Sequence, residues 1–186
     1  MPGLPHLDVP LTDGVVTLRE WHAADVAAMT EHLNDAEIAH WAALPSPYTR
    51  ADAEDYFAER EPKRESGECL SLVMVSASTD EVLGSIGLEV TSWEHLRGEL
   101  GYIVFAHARG RAVATRAVRL LARFSLKRLG LLRLEILADP RNRASQRVAE
   151  KAGFTREGVL RSHTQEAGER RDMVSWSLLP DELEDV

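Results

Sequence analysis

The chain has 186 residues, 44% of them hydrophobic and 28% charged, enough to close one sizeable core and too few for two ordinary domains to be expected. No apolar run approaches membrane-spanning length, the first residues lack the basic and apolar regions of a secretory signal, and the lone Cys69 excludes an internal disulfide and a thiolate-rich metal site, so a single cytoplasmic domain over residues 1–186, without metal or membrane partner, is expected. The net charge of -8 is polarised: residues 97–171 hold 17 Lys and Arg against 7 Asp and Glu, leaving 5 against 23 elsewhere, which suits an anionic cofactor beside a cationic acceptor; the arginines lack the interleaved aromatics of a nucleic-acid platform.

In chain order, β-branched residues 15–19 predict a strand, and Ala23-Ala24-Asp25 begins a helix to about residue 33. The acidic stretch 35–65 is broken by Pro45-Ser46-Pro47 into two helical pieces. Residues 70–76 and 82–90 are β-rich runs joined by a turn at 78–81, and residues 98–105 form a fourth strand. From 111 to about 129, Val113, Ala114, Ala117, Val118, Leu121 and Phe124 recur at core spacing, with Arg116, Arg119, Arg123 and Lys127 opposite, which predicts a long amphipathic helix stopped by Gly130. Residues 131–137 alternate as a fifth strand, residues 143–152 form a short helix closed by Gly153, and two strands follow around Glu166-Ala167-Gly168-Glu169. Strands and hairpins, then a strand-helix-strand crossover and a closing hairpin, imply an α/β (α+β) mixed sheet with helices on both faces.

The passage from the fourth strand into the long helix carries the first functional signal. A helix start leaves backbone N–H groups unpartnered and partly positive, and Gly110 and Ala112 keep that backbone approachable while Thr115 adds a hydroxyl. Such a turn suits a pyrophosphate; an ordinary connection with Gly110 serving the turn is the plainer alternative.

Glu99-Leu-Gly-Tyr102, Arg109-Gly110-Arg111-Ala112 with Thr115, Asn142-Arg-Ala-Ser145, Lys151-Ala-Gly-Phe154 and Glu157-Gly158-Val-Leu-Arg161 occur in this order over almost the whole chain. Together they resemble the GNAT N-acetyltransferases, in the branch like the RimJ and RimL ribosomal-protein acetyltransferases. The resemblance implies a GNAT-like fold with a mostly antiparallel sheet of about seven strands, whose fourth and fifth strands splay to admit the pantetheine arm of acetyl-CoA. Residues of about 14–96 would then shape the acceptor side and those of about 97–179 the acetyl-CoA side. By the same resemblance Ile103, Val104 and Phe105 would pair with the pantetheine amides, and Arg109, Gly110, Arg111, Ala112, Val113, Ala114 and Thr115 would hold the phosphates. His107 departs from the family pattern at the first position of the turn. Family members often dimerise through edge strands, so a monomer or homodimer is implied.

Direct transfer needs a neutral amine, a hydrogen bond for the carbonyl oxygen and a donor for the departing thiolate. Asn142 can cap the short helix and still border the cofactor. Ser145, on that helix's inward face, is the candidate general acid, because the tyrosine some family members use there is Ala149 here; a local helix-turn hydroxyl is the equal alternative. Glu99 can deprotonate an ammonium directly or through water, with an ion pair to a neighbouring arginine as its structural alternative and Glu89 as the next candidate base. Cys69 lacks a local base, Trp41 is placed to border the acceptor pocket, and His163 and Asp172 have orienting or surface roles. The expected function is acetyl transfer from acetyl-CoA to a protein N-terminus or other cationic amine; alternatives are a polyamine or aminoglycoside-like acceptor, or a non-catalytic acyl-CoA sensor.

Overall fold

A computed structural model describes residues 3–42, 44–166 and 168–183, so Ala43, Ala167 and the extreme termini lie outside the described residues. The elements are β1 (Leu11–Thr12), β2 (Val16–Arg19), α1 (Val26–His32), α2 (Ala36–Trp41), α3 (Arg50–Glu65), β3 (Cys69–Ser76), β4 (Val82–Ser92), β5 (Arg97–Val104), α4 (Val113–Lys127), β6 (Arg133–Ala138), α5 (Arg143–Lys151), β7 (Thr155–Glu166) and β8 (Glu169–Leu178). One sheet takes the order β1-β2-β3-β4-β5-β6-β8-β7, antiparallel throughout except between β5 and β6. It has eight strands rather than about seven, because β1 is a two-residue edge pairing with β2 that leaves no periodic trace.

Burial follows the alternation of each strand. Leu100, Tyr102 and Val104 turn to one face, where α4 and α5 pack, and Leu70, Leu72, Ile86, Leu88, Leu134, Ile136, Val118 and Leu121 complete that core. Each fully buried leucine contributes about 2 kcal/mol over leaving it in water. The opposite face carries a smaller cluster, in which Val26, Met29, Ile38, Tyr48 and Phe105 pack under α1, α2 and α3. Strand β3 lies between both layers and is apolar almost throughout, whereas β6 alternates buried residues with half-exposed Arg133, Glu135 and Leu137.

The parallel junction is brief. Register runs from Arg97 opposite Arg133 to Glu99 opposite Glu135 and stops there, although β5 continues to Val104 and β6 to Ala138. Beyond Glu99 the strands diverge, so the β6-facing edge of β5 and the β5-facing edge of β6 have no strand partner. This opening, the fifth and sixth strands by full count, is the expected splay. Among the described residues no helix is long and apolar enough to cross a membrane.

Candidate active site

The splay opens into a cavity of about 650 Å³, within the usual range for small-molecule sites. Its walls include Leu100 to Val104 from β5, Ile136 to Ala138 from β6, the turn before α4, and α5. One continuous space therefore joins the free strand edges to two helix starts.

The first helix start is that of α4. Gly110 and Ala112 both adopt left-handed backbone, at φ 75° and 57°, which turns the chain sharply out of β5. A Cβ on Gly110 would meet nothing within 4 Å, so the glycine answers the dihedral rather than a shortage of space. No side chain caps α4, and Arg116 N–H is the first to find a carbonyl, that of Ala112 at 3.1 Å. The N–H groups of Val113, Ala114 and Thr115 thus have no acceptor among the described residues and open at the cavity wall, an arrangement that suits an anion.

Arg109, Gly110, Ala112, Val113, Ala114 and Thr115 line the cavity together with Ile103, Val104, Asn142 and Ser145, whereas Arg111 and Phe105 do not. Arg111 is exposed. Phe105 departs from the amide-pairing expectation for a physical reason: its ring is buried against His32, centroids 4.8 Å apart, and its N–H donates to Leu83 O at 2.9 Å. His107 also turns away, with Nε2 3.1 Å from Val82 O and its ring 4.8 Å from that of His32. The Arg109 guanidinium spans to the start of α2, where the Asp35 side chain caps the helix by accepting from the N–H groups of Glu37 and Ile38. Arg109 donates to Asp35 Oδ1 at 2.5 Å and pairs with Glu37 Oε2 at 3.0 Å. The guanidinium holds the Asp35 carboxyl below the usual range.

The second helix start is that of α5. Asn142 Oδ1 accepts the Ser145 N–H at 2.9 Å and so fixes the first turn. Tyr102, reaching across from β5, places its phenol oxygen 2.9 Å from Ser145 Oγ and donates to Ser145 O at 3.2 Å. Burial pushes the Tyr102 phenol up to about 12. Sequence reasoning quoted this tyrosine only within a motif; its alternation with Leu100 and Val104 was the signal that it faces α5. Arg147 and Lys151, on the cavity side of α5, were not singled out either.

On the other face, Cys69, Glu89, Glu99 and Glu135 stand in one cross-strand row. Glu99 has no hydrogen-bond or ion-pair partner among the described residues; Arg133, which could have neutralised it, pairs with Glu135 at 2.9 Å and Glu157 at 2.5 Å. Burial, reinforced by Glu89 and Glu135, pushes the Glu99 carboxyl up to about 7. The carboxylate lies at the closed end of the splay, adjacent to the cavity-lining stretch from Leu100 but not itself in the wall. Beside it Gly87 pairs with Gly101, leaving that face of the sheet without side chains next to Glu99. Glu89 is largely exposed and faces Arg60 at 3.9 Å. Cys69 is buried, its thiol pushed up by that burial, with Arg60 Nη1 2.9 Å from Sγ. Trp41, Ile38 and Ala42 form an apolar stretch of wall, and Thr164, Arg171 and Met173 bring in the β7–β8 hairpin. His163 is exposed, and Asp172 Oδ1 accepts the Ser162 N–H at 2.7 Å within the β7 irregularity.

Comparison with known proteins agrees with this geometry. Residues 16–155 match the family model described as an acetyltransferase (GNAT) domain. The N-acetyltransferase p20 of Bacillus licheniformis, itself uncharacterised, is 27% identical over 165 residues, covering 88% of this chain and 92% of that protein. RimJ of Mycobacterium smegmatis, solved in complex with CoA-disulfide, superposes with a TM-score of 0.83 at 23% identity over 95% of this chain and 88% of that one. A spermidine N-acetyltransferase from Vibrio cholerae, solved with CoA and spermine, superposes at 0.77 with 18% identity over 92% and 99%. A sheet splayed between β5 and β6, a bare helix N-terminus at its mouth and a family model spanning most of the sheet lead to one conclusion: the chain belongs to the GNAT acetyltransferase family.

Proposed function

We propose that the protein moves an acetyl group from acetyl-CoA directly to a single primary amine, with a protein N-terminus as the favoured acceptor. The observation that carries this reading is the continuity of the cavity from the unpartnered N–H groups of Val113 to Thr115 to the Tyr102–Ser145 contact. Residues of about 97–179 hold the cofactor in this reading, and those of about 14–96 shape the acceptor side. Val113, Ala114, Thr115, Gly110 and Ala112 receive the diphosphate, with Arg109 beside them, and the free edges at Ile103 and Val104 receive the pantetheine amides. Bound there, acetyl-CoA supplies an activated acyl group as a thioester.

Glu99 takes the proton from the acceptor ammonium, directly or through one water; a carboxyl poised near 7 suits both halves of that task. A backbone N–H on the free edge of β5 donates to the carbonyl oxygen as charge gathers there. Ser145 donates to the sulfur as it departs.

The cavity favours one amine over a polycation. Its acidic wall residues are already engaged, Glu37 by Arg109 and Asp139 by Arg141 at 2.7 Å, while Arg147 and Lys151 add positive charge. The abundant carboxylates of α3 do not line it; Glu54, Glu59 and Glu61 pair along their own helix with Arg50, Lys63 and Arg64. The strongly acidic composition of this half therefore supports a polyamine acceptor less than the chain total suggests.

Thiol release measured over peptides with free N-termini, spermidine and an aminoglycoside tests the reading. Turnover on the peptides above that on spermidine is expected. Preference for spermidine would overturn the acceptor, and CoA binding without turnover on any amine would favour the acyl-CoA sensor. Ser145→Ala is expected to lower kcat at least tenfold while leaving CoA affinity within a factor of about three.

A further inference from the structure

The first turn of α5 is held at three points around the half-buried Ser145. Asn142 takes the Ser145 N–H at 2.9 Å, and a tyrosine 43 residues earlier reaches both the Ser145 carbonyl, at 3.2 Å, and its hydroxyl, at 2.9 Å. A phenol has one proton and here two acceptors within reach, so two proton arrangements fit the same heavy atoms. With the phenol proton on the Ser145 carbonyl, the serine proton can rest on the phenol oxygen. With the phenol proton on Ser145 Oγ, the serine proton is released toward the cavity, where both residues form part of the wall.

We propose that Tyr102 is a positioning residue for the leaving-group end of the site: it donates to Ser145 Oγ and thereby turns and polarises the serine hydroxyl toward the departing sulfur of CoA. This rests on the reading of Ser145 above. As negative charge develops on sulfur, the second proton arrangement becomes the stable one, because a chain of two hydroxyl donors ending on an anion strengthens along its length. The hydroxyl reorientation itself makes and breaks no covalent bond. The carbon–sulfur bond breaks with its electron pair on sulfur, and both hydroxyl protons stay on their own oxygens. A desolvated phenol held near 12 remains a donor across the working pH range, which fits a fixed polarising role.

The test needs no acceptor. CoA is bound to the full-length protein and its thiol titrated by the ultraviolet absorbance of the thiolate, with the desulfo-CoA complex as blank. In the wild-type complex the thiol is expected to titrate about one to two units below free CoA, the range one charge-assisted hydrogen bond supplies. Ser145→Ala removes that shift. Tyr102→Phe, which keeps the ring, removes at least half of it while leaving CoA affinity within about threefold, and the double variant matches Ser145→Ala. Fluorotyrosine placed at position 102, a better donor on an unchanged frame, lowers the thiol further and covers the case in which the phenylalanine variant folds poorly. A Tyr102→Phe complex titrating like wild type would overturn the proposal, as would a larger effect of Tyr102→Phe than of Ser145→Ala, which would place the phenol on the sulfur itself. Absence of CoA binding to the wild type by calorimetry would instead remove the cofactor reading, and this proposal with it.

Discussion

Glu99 and Glu157 are two carboxylates at opposite ends of one electrostatic arrangement. Glu157 accepts from both Nη atoms of Arg133 and from Ser175 and Ser177, and the guanidinium beside it, helped by the serines, holds its carboxyl down at about 2. Glu99, two strands away from that serine-bearing strand, has burial and two neighbouring glutamates instead, and is pushed up to about 7. Their side-chain chemistry is identical. The difference teaches that the sheet assigns the tasks by where it commits Arg133: that guanidinium serves Glu135 and Glu157, and Glu99 is left unneutralised at the apex of the splay. An ionisable group desolvated without a partner beside a cavity is where proton transfer near neutral pH is to be sought.

Neutralising Glu99 breaks the contrast most severely. Glu99→Gln is expected to lower kcat by about 100-fold or more, roughly 3 kcal/mol of barrier, and to abolish the acidic limb near pH 7 in the rate profile, with CoA affinity unchanged. A profile that keeps this limb in the variant would assign the proton transfer elsewhere, Glu89 being next in line.

The same substitution has the opposite sign on stability. A carboxyl whose folded value is raised binds its proton more tightly when folded, so the contribution of Glu99 to stability is fully present below the unfolded value of about 4.5 and is lost as pH rises through about 7. Glu99→Gln removes that loss. Above pH 7 the variant is expected to be more stable by about 2 kcal/mol, a rise in Tm of ~5 °C, and the gain vanishes below pH 4.5. Thermal melts at pH 4 and pH 8 check this; a lower Tm at pH 8 would mean that the ionised carboxylate has a stabilising partner.

Arg133→Met attacks the other end. The lowered Glu157 carboxyl contributes stability above its unfolded value of about 4.5 that is lost as pH falls through about 2. Because Glu157 is more than a third exposed, its pairing with Arg133 is screened, and the variant is expected to lose only about 1 kcal/mol at neutral pH and less as pH falls toward about 2. Denaturant melts at pH 7 and pH 2.5 should therefore diverge from wild type by clearly less at the lower pH. The smallest effect belongs to Glu89→Gln, which removes one repulsive neighbour and should move the acidic limb of the rate profile down by a few tenths of a unit.

Much of this molecule was legible from residue patterns because the signals were local. The stripe of Ala117, Val118 and Leu121 marked α4, Asn142 marked the start of α5, and small residues at 110 and 112 marked the turn whose left-handed backbone the structure displays. What escaped depended on partners distant in the chain. Tyr102 gained its meaning from a residue 43 positions on, Arg109 from Asp35 74 positions back, and Arg133 chose Glu157 rather than Glu99. Phe105 looked available to a ligand by its place on the strand, but its N–H had already paired with Leu83. Acidic residues counted over a segment could not reveal that those of α3 pair along their own surface. Charge composition is a sum, whereas a site is a selection from it.

Side-chain carboxyl titration of the glutamates by carbon-detected NMR, with Glu99→Gln and Glu157→Gln spectra for assignment, tests the central contrast most directly. The account predicts one glutamate, absent from the Glu99→Gln spectrum, with its midpoint near 7, and another, absent from Glu157→Gln, still ionised at pH 3. If both titrate together in the ordinary range of about 4 to 5, Glu99 is neither desolvated nor poised to take a proton, and its role as base is contradicted.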